Sequence, residues 1–114
     1  MFVGVALFEL HIPHAQSLKD KRTVVRSLRD KIRNRFEVSV AEVAVQDLHQ
    51  RARLAASMVS GDGPSVEKVL SLIERFVEAN EEATLVGWTQ EVMDFDSDGS
   101  LEIPNTFTEP ESQG

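Results

Sequence analysis

Hydrophobic positions along the chain change period four times. In FVGVALFELHI, residues 2–12, the side chains of Phe2, Ala6, Phe8, Leu10 and Ile12 share one face of an extended strand. Val3, Val5, Leu7, Glu9 and His11 share the other. Both faces stay apolar until the last residues, which predicts a central strand or one whose second face is covered. A helical period follows: Leu18, Val25, Leu28, Ile32 and Phe36 form one stripe, with Ser17 as N-cap and Asp20 three residues on as the capping-box acid. EVSVAEVAVQ (37–46) and RARLAASMV (51–59) read as a second and third strand joined by a hairpin connection. Val66, Val69, Leu70, Ile73, Phe76 and Val77 mark a second helix that starts in the Gly61–Pro64 loop and stops at Asn80. ATLVGWTQEVM (83–93) is the fourth strand.

The order β-α-β-β-α-β predicts an α+β ferredoxin-like sandwich. Right-handed crossovers give an antiparallel sheet ordered 4-1-3-2 with both helices on one face. Residues 1–95 make one domain. Residues 96–114, acidic and carrying Pro104 and Pro110, are expected to be a disordered tail. The topology brings the end of the first strand, the start of the first helix and the hairpin connection to one edge of the molecule. His11, His14, Ser17, Lys19, Asp47, His49 and Arg51 belong to that edge.

Charge alters this picture. Residues 1–60 hold 10 basic and 6 acidic side chains, net +4; residues 61–114 hold 2 basic and 13 acidic, net −11. On the first helix Lys19, Arg22, Arg26, Arg29 and Arg33 fall within an arc of about 80° beside the apolar stripe. Like charges at i,i+4 cost a little in a helix, and cations are disfavoured near its N-terminus. A stripe kept against those costs has the form of an anion-binding face. Its plain alternative is a solvated face that uses arginine as a good helix former.

Three segments taken together, the strand ending ELHIP, the helix opening SLKDKR, and VSVAEVAVQDLHQRA, resemble the YlxP-like family of small bacterial proteins, whose function is unassigned. The resemblance covers about residues 1–93. It implies a ferredoxin-like fold and a gene neighbourhood of translation-initiation and ribosome-maturation factors, which points toward RNA or a ribosomal particle. It implies no active site.

Other chemistry is thin. The chain has no cysteine, hence no disulfide or thiolate metal site, which fits a reducing cytoplasm. The opening residues lack a basic leader, and no apolar run is long enough to span a bilayer. The spacing of His11 and His14 guarantees no ligand geometry; a zinc constellation of the three histidines with Asp47, serving a small metal-dependent hydrolase, is the minor reading of this edge. HIPHAQSLKDKR therefore reads first as a strand-to-helix turn and second as a phosphate-binding corner. Asp47 and Gln50 are expected to close the hairpin by hydrogen bonds to backbone. Asp94, Asp96, Asp98, Gly99 and Leu101 begin like a calcium loop, but Asn105 occupies the place of its final glutamate and Pro104 interrupts the exit helix. P-loop, nucleophile-elbow and dinucleotide patterns are absent.

The outward positions of the two central strands carry Arg51 and Arg53 but no aromatic residue, which disfavours base stacking. The expectation is a cytoplasmic, non-enzymatic binding module without cofactor or membrane partner. It contacts RNA or a ribosomal particle through Ser17, Lys19, Arg22, Arg26, Arg29, Arg33, Arg51 and Arg53. The competing reading is a homodimeric interaction module using the apolar sheet face.

Overall fold

The computed structural model describes residues 1–44 and 48–104. Asp47, Asn105 and Pro110 lie outside the described residues, as do residues 105–114 of the tail expected over 96–114; its first residues, Asp96 to Leu101, form a hydrogen-bonded turn. The elements are β1 (Phe2–His11), α1 (Leu18–Phe36), β2 (Ser39–Ala44), β3 (Arg51–Ser60), α2 (Gly63–Glu78) and β4 (Thr84–Asp94). The sheet is antiparallel and ordered β2-β3-β1-β4, with β1 between β3 and β4, the first of the two arrangements its two apolar faces allowed. The fold is the ferredoxin-like βαββαβ sandwich.

One cluster forms the core. Ala6, Phe8 and Leu10 of β1 meet Ala52, Leu54 and Ala56 of β3 under Val25, Leu28 and Ile32 of α1 and Val66, Leu70 and Ile73 of α2. Gly4 belongs to the same face. A Cβ there would collide with Val66 Cγ1 and come within 3.1 Å of Leu70 Cδ1, so α2 rests directly on the strand backbone. Phe8 stacks on Trp88 of β4 with centroids 4.9 Å apart, and Phe36 meets Phe76 edge-on at 5.7 Å, joining the two helices.

The start of α1 is closed reciprocally. Ser17 Oγ accepts the Asp20 N–H at 3.1 Å, and Asp20 Oδ2 accepts an N–H at 2.9 Å. That second donor is Gln16 rather than the cap residue itself, one step earlier than the standard box. The far end stops on Glu37, whose left-handed backbone (φ 54°, ψ 49°) turns its N–H onto the Arg33 carbonyl at 3.0 Å. Glu37 thus ends the helix instead of opening the second strand, and β2 begins two residues later than its sequence suggests, at Ser39.

Two further departures are local. Both edge strands carry a bulge. Val43 is the extra residue between the Glu42–Leu54 and Ala44–Arg53 pairs, and Val86 the extra residue between Gly87–Glu9 and Leu85–Leu10. Leu18, expected on the apolar stripe, is 37% exposed, whereas Lys21 is only 2% exposed and sits in the stripe with Val25, Leu28 and Ile32. Among the described residues no helix is long and apolar enough to cross a membrane.

Candidate anion-binding interface

The opening corner is built by packing. Ile12 and Ala15 are buried on either side of Pro13 and His14, which lie at the surface. Gln50 fastens this turn: its carbonyl accepts the Ile12 N–H at 2.9 Å, and its side-chain amide reaches the carbonyls of Pro13 and Ala15, each at 3.3 Å. Gln50 therefore ties the hairpin connection to the strand-to-helix turn, and the part of that connection containing Asp47 lies outside the described residues. Ser17 is spent on the helix cap. The histidines diverge. His11 and His49 line one open cavity of about 300 Å³ with Gln50 and Arg51, and His14 lines another of about 250 Å³ with Asp20, Glu81 and Glu82.

The cations of α1 fall into three environments. Lys21 is interior: its Nζ lies 3.0 Å from Glu42 Oε2 and donates to the Arg51 carbonyl at 3.1 Å. Glu42 projects from the inner face of β2 opposite Leu54, so this pair clamps the first turn of α1 to β2 and β3 at once. Arg35 lies over the rings of Phe36 and Phe76, 5.7 and 5.5 Å from their centroids, and stays near the α1–α2 contact. The stripe itself is outside. Lys19, Arg22, Arg26 and Arg33 are exposed; Arg29 is half-buried and lies 3.3 Å from Asp30.

Helical geometry locates the stripe. Asp20, Val24 and Lys31 line clefts shared with the end of α2. At 100° per residue the stripe points about 160° away from them, onto the flank above the β2 edge. Among the described residues no carboxylate pairs with Lys19, Arg22, Arg26 or Arg33. Over that flank runs a row of uncommitted positive charge about 21 Å long, from the 14 steps between Lys19 and Arg33 at about 1.5 Å each.

Arg51 and Arg53 behave differently. Both turn onto Glu9, which is opposite Arg53 in the register and only 13% exposed. Arg53 donates two bonds to Glu9 Oε1 at 2.8 and 3.2 Å, and Arg51 donates to Oε2. These hydrogen bonds and the two positive charges hold the Glu9 carboxyl below its ordinary range. The trio keeps one net positive charge on the solvent-facing side of the sheet.

At the other end, Asp96 Oδ1 accepts the Leu101 N–H at 2.9 Å, and Asp98 Oδ1 accepts the Ser100 N–H at 3.0 Å. The Ser100 hydroxyl and N–H lower the Asp98 pKa. These carboxylates close their own turn, with Asp96 and Gly99 at positive φ.

Residues 3–90 match the family model described as a protein of unknown function, DUF503. The chain belongs to the DUF503 family. A relative within reach of sequence comparison is the uncharacterized protein YlxP of Bacillus subtilis (strain 168), 34% identical over 90 residues that cover 75% of this chain and 98% of YlxP. Among solved structures the DUF503 chain is similar to the intact alpha subunit of aIF2 from Pyrococcus abyssi, with TM-score 0.43 and 24% identity. That match covers 76% of this chain and about a third (34%) of the alpha subunit. It is also similar to the de novo designed protein LFR1 1 with ferredoxin fold, with TM-score 0.44, 15% identity, and coverage of 95% and 99%.

Proposed function

We propose that this DUF503 protein is a non-enzymatic binding module for RNA or an RNA-containing particle such as the ribosome, acting in the cytoplasm through the basic flank of α1. The observation that carries the reading is the row of Lys19, Arg22, Arg26 and Arg33, exposed and without acidic partners among the described residues. Neighbouring cations on one helix face stand about 5–6 Å apart at their Cβ atoms, so a row of them can follow a phosphate chain. Such contacts recognise backbone charge and shape, not base identity. The outward positions of β1 and β3 hold no Phe, Tyr or Trp on which an unpaired base could stack; the imidazole of His11, at the end of β1 opposite Arg51, is the one ring there. Arg29, Arg51 and Arg53 enter as secondary contacts, since each must share its guanidinium with a carboxylate.

The test replaces Arg22, Arg26 and Arg33 together with Gln, which keeps helix propensity. Binding of the full chain to a structured ribosomal RNA fragment is followed by fluorescence anisotropy from 50 to 300 mM salt. Three lost phosphate contacts should make the slope of log K against log salt shallower by about 2–3. Stability should change by no more than about 0.5 kcal/mol per site. Wild type that binds no RNA at 50 mM salt, or a triple variant that binds like wild type, refutes the reading.

A further inference from the structure

The solvent side of the sheet is unlike an ordinary wet face. Both helices lie on the other side, yet Val5, Val59 and Met93 turn outward with exposures of 40%, 62% and 49%. In the register Val3 stands between Val59 and Met93, and Val5 between Ser57 and Glu91, so the apolar side chains are contiguous across three strands. An apolar patch of this kind on a sheet marks a contact surface. We propose that the surface packs against its copy in a second molecule, giving a face-to-face homodimer whose twofold axis passes near Val5 and Ser57.

Three observations favour a second copy over other occupants. The first is size. Four strands about 4.8 Å apart, of 10, 6, 10 and 11 residues, present a footprint of roughly 600 Å² per molecule, or about 1,200 Å² for a pair. That reaches the lower end of stable specific interfaces. The second is layout. The charges on the central strands gather at one end, where Glu9 is already neutralised by Arg51 and Arg53. The Val3 and Val59 end carries none on those two strands; Glu91, beside Val5 on the edge strand β4, is a carboxylate that the contact must accommodate. Two copies related by a twofold through Val5 overlap apolar surface on apolar surface and leave the charged trio at the periphery, the anatomy of an interface core and rim. The third is the edges. Bulges at Val43 and Val86 interrupt both edge strands, which discourages pairing edge to edge and leaves the face as the route of association. Small outward residues, Ala55 and Ser57 on β3 and Ala41 on β2, let two twisted sheets approach to about 10 Å.

The test is sedimentation of the full chain between about 1 and 100 µM, at 150 and 500 mM salt. The expected species has twice the 12.7 kDa chain mass and is insensitive to salt. Val5→Lys with Val59→Lys should raise the dissociation constant roughly 100-fold or more, because each lysine would lose its hydration at the centre of the interface. Arg26→Gln on α1 should leave it unchanged. Since the chain has no cysteine, a single thiol reports the geometry independently of those variants. Ser57→Cys should crosslink to its twin through a bis-maleimide of about 10 Å, whereas Ser71→Cys on the exposed side of α2 should not. A monomer at 100 µM overturns the proposal and leaves the patch to a heterologous partner or the chain's own C-terminal segment. A dimer indifferent to the paired lysines, a dimer dissolved by salt, or crosslinking at Ser71 but not Ser57 overturns it as well.

Discussion

Replacing Lys21 with Met tests whether the interior ion pair is the clamp between α1 and β2. Methionine keeps most of the aliphatic stem, so packing is largely preserved. What disappears is the ammonium that faces Glu42 at 3.0 Å and the Arg51 carbonyl at 3.1 Å. Breaking a sealed pair costs about 3–5 kcal/mol, because the surviving charge is stranded. Glu42 is 19% exposed, so water reaches it and the cost falls to the low end of that range. Losing the bond to the Arg51 carbonyl adds about 1 kcal/mol, and burying the thioether end of Met returns about the same. The expected net loss is about 3 kcal/mol. With a urea m value of about 1–1.5 kcal/mol per M for a domain this size, the unfolding midpoint should drop by about 2 M. The double variant Lys21→Met with Glu42→Leu removes both charges and should return to within about 1 kcal/mol of wild type, a coupling of roughly 2 kcal/mol. A single variant whose midpoint moves by less than about 0.5 M, or a double variant as unstable as the sum of the singles, refutes the clamp. RNA affinity offers a separate check: Lys21 is inside, so its loss should leave the salt slope untouched.

Three shorter predictions follow from single residues. Glu37→Gly relieves a left-handed backbone at the end of α1 and should raise stability by about 0.5–1 kcal/mol, seen as a melting temperature higher by about 3–6 °C. Gly4→Ala drives a methyl into Val66 and Leu70 and should cost about 1–3 kcal/mol by urea denaturation. Glu9 titrates below its ordinary value near 4.5, so its bonds to Arg51 and Arg53 stabilise the fold above that pH and are lost as pH falls through the lowered value. The gap in urea midpoint between wild type and Glu9→Gln should therefore be widest near neutrality and close progressively below about pH 4.5.

The alternation of periods was enough to read the six elements, because each helix commits its apolar residues to one stripe and the extended segments between them break that repeat. The inner face of β1 and the stripe of α2 are buried as their spacing requires. Lys21 escaped for a different reason. Its wheel position lies among Val25, Leu28 and Ile32, but lysine is so seldom buried that composition argues against geometry there. Glu42 supplies the missing signal, since it alternates with Val40 on the inner face of β2 and needs a cation. The Glu9–Arg51–Arg53 trio depends on register, and register across a hairpin is set by the length and shape of its connection. The bulges left no trace, because an extra valine among valines and alanines preserves the apolar pattern. The uncommitted state of the α1 stripe also required coordinates: sequence counts acids but does not say where they turn.

The two proposed surfaces lie on opposite sides of one sheet, and that arrangement couples them. If two copies meet through their sheets, both α1 helices face outward. With the sheets about 10 Å apart and each helix axis about 10 Å beyond its sheet, the two basic flanks stand roughly 30 Å apart. One RNA long enough to reach both flanks would engage about eight cations instead of four, and the second engagement would be intramolecular. The salt slope for such an RNA should then be near 7 for the dimer and near 3.5 for a monomer. Val5→Lys with Val59→Lys touches neither flank, yet it should halve the slope on a long structured RNA and leave the slope on a short hairpin unchanged. Equal slopes on both RNAs for wild type would show that the two flanks never share a ligand, even if each surface does its separate work.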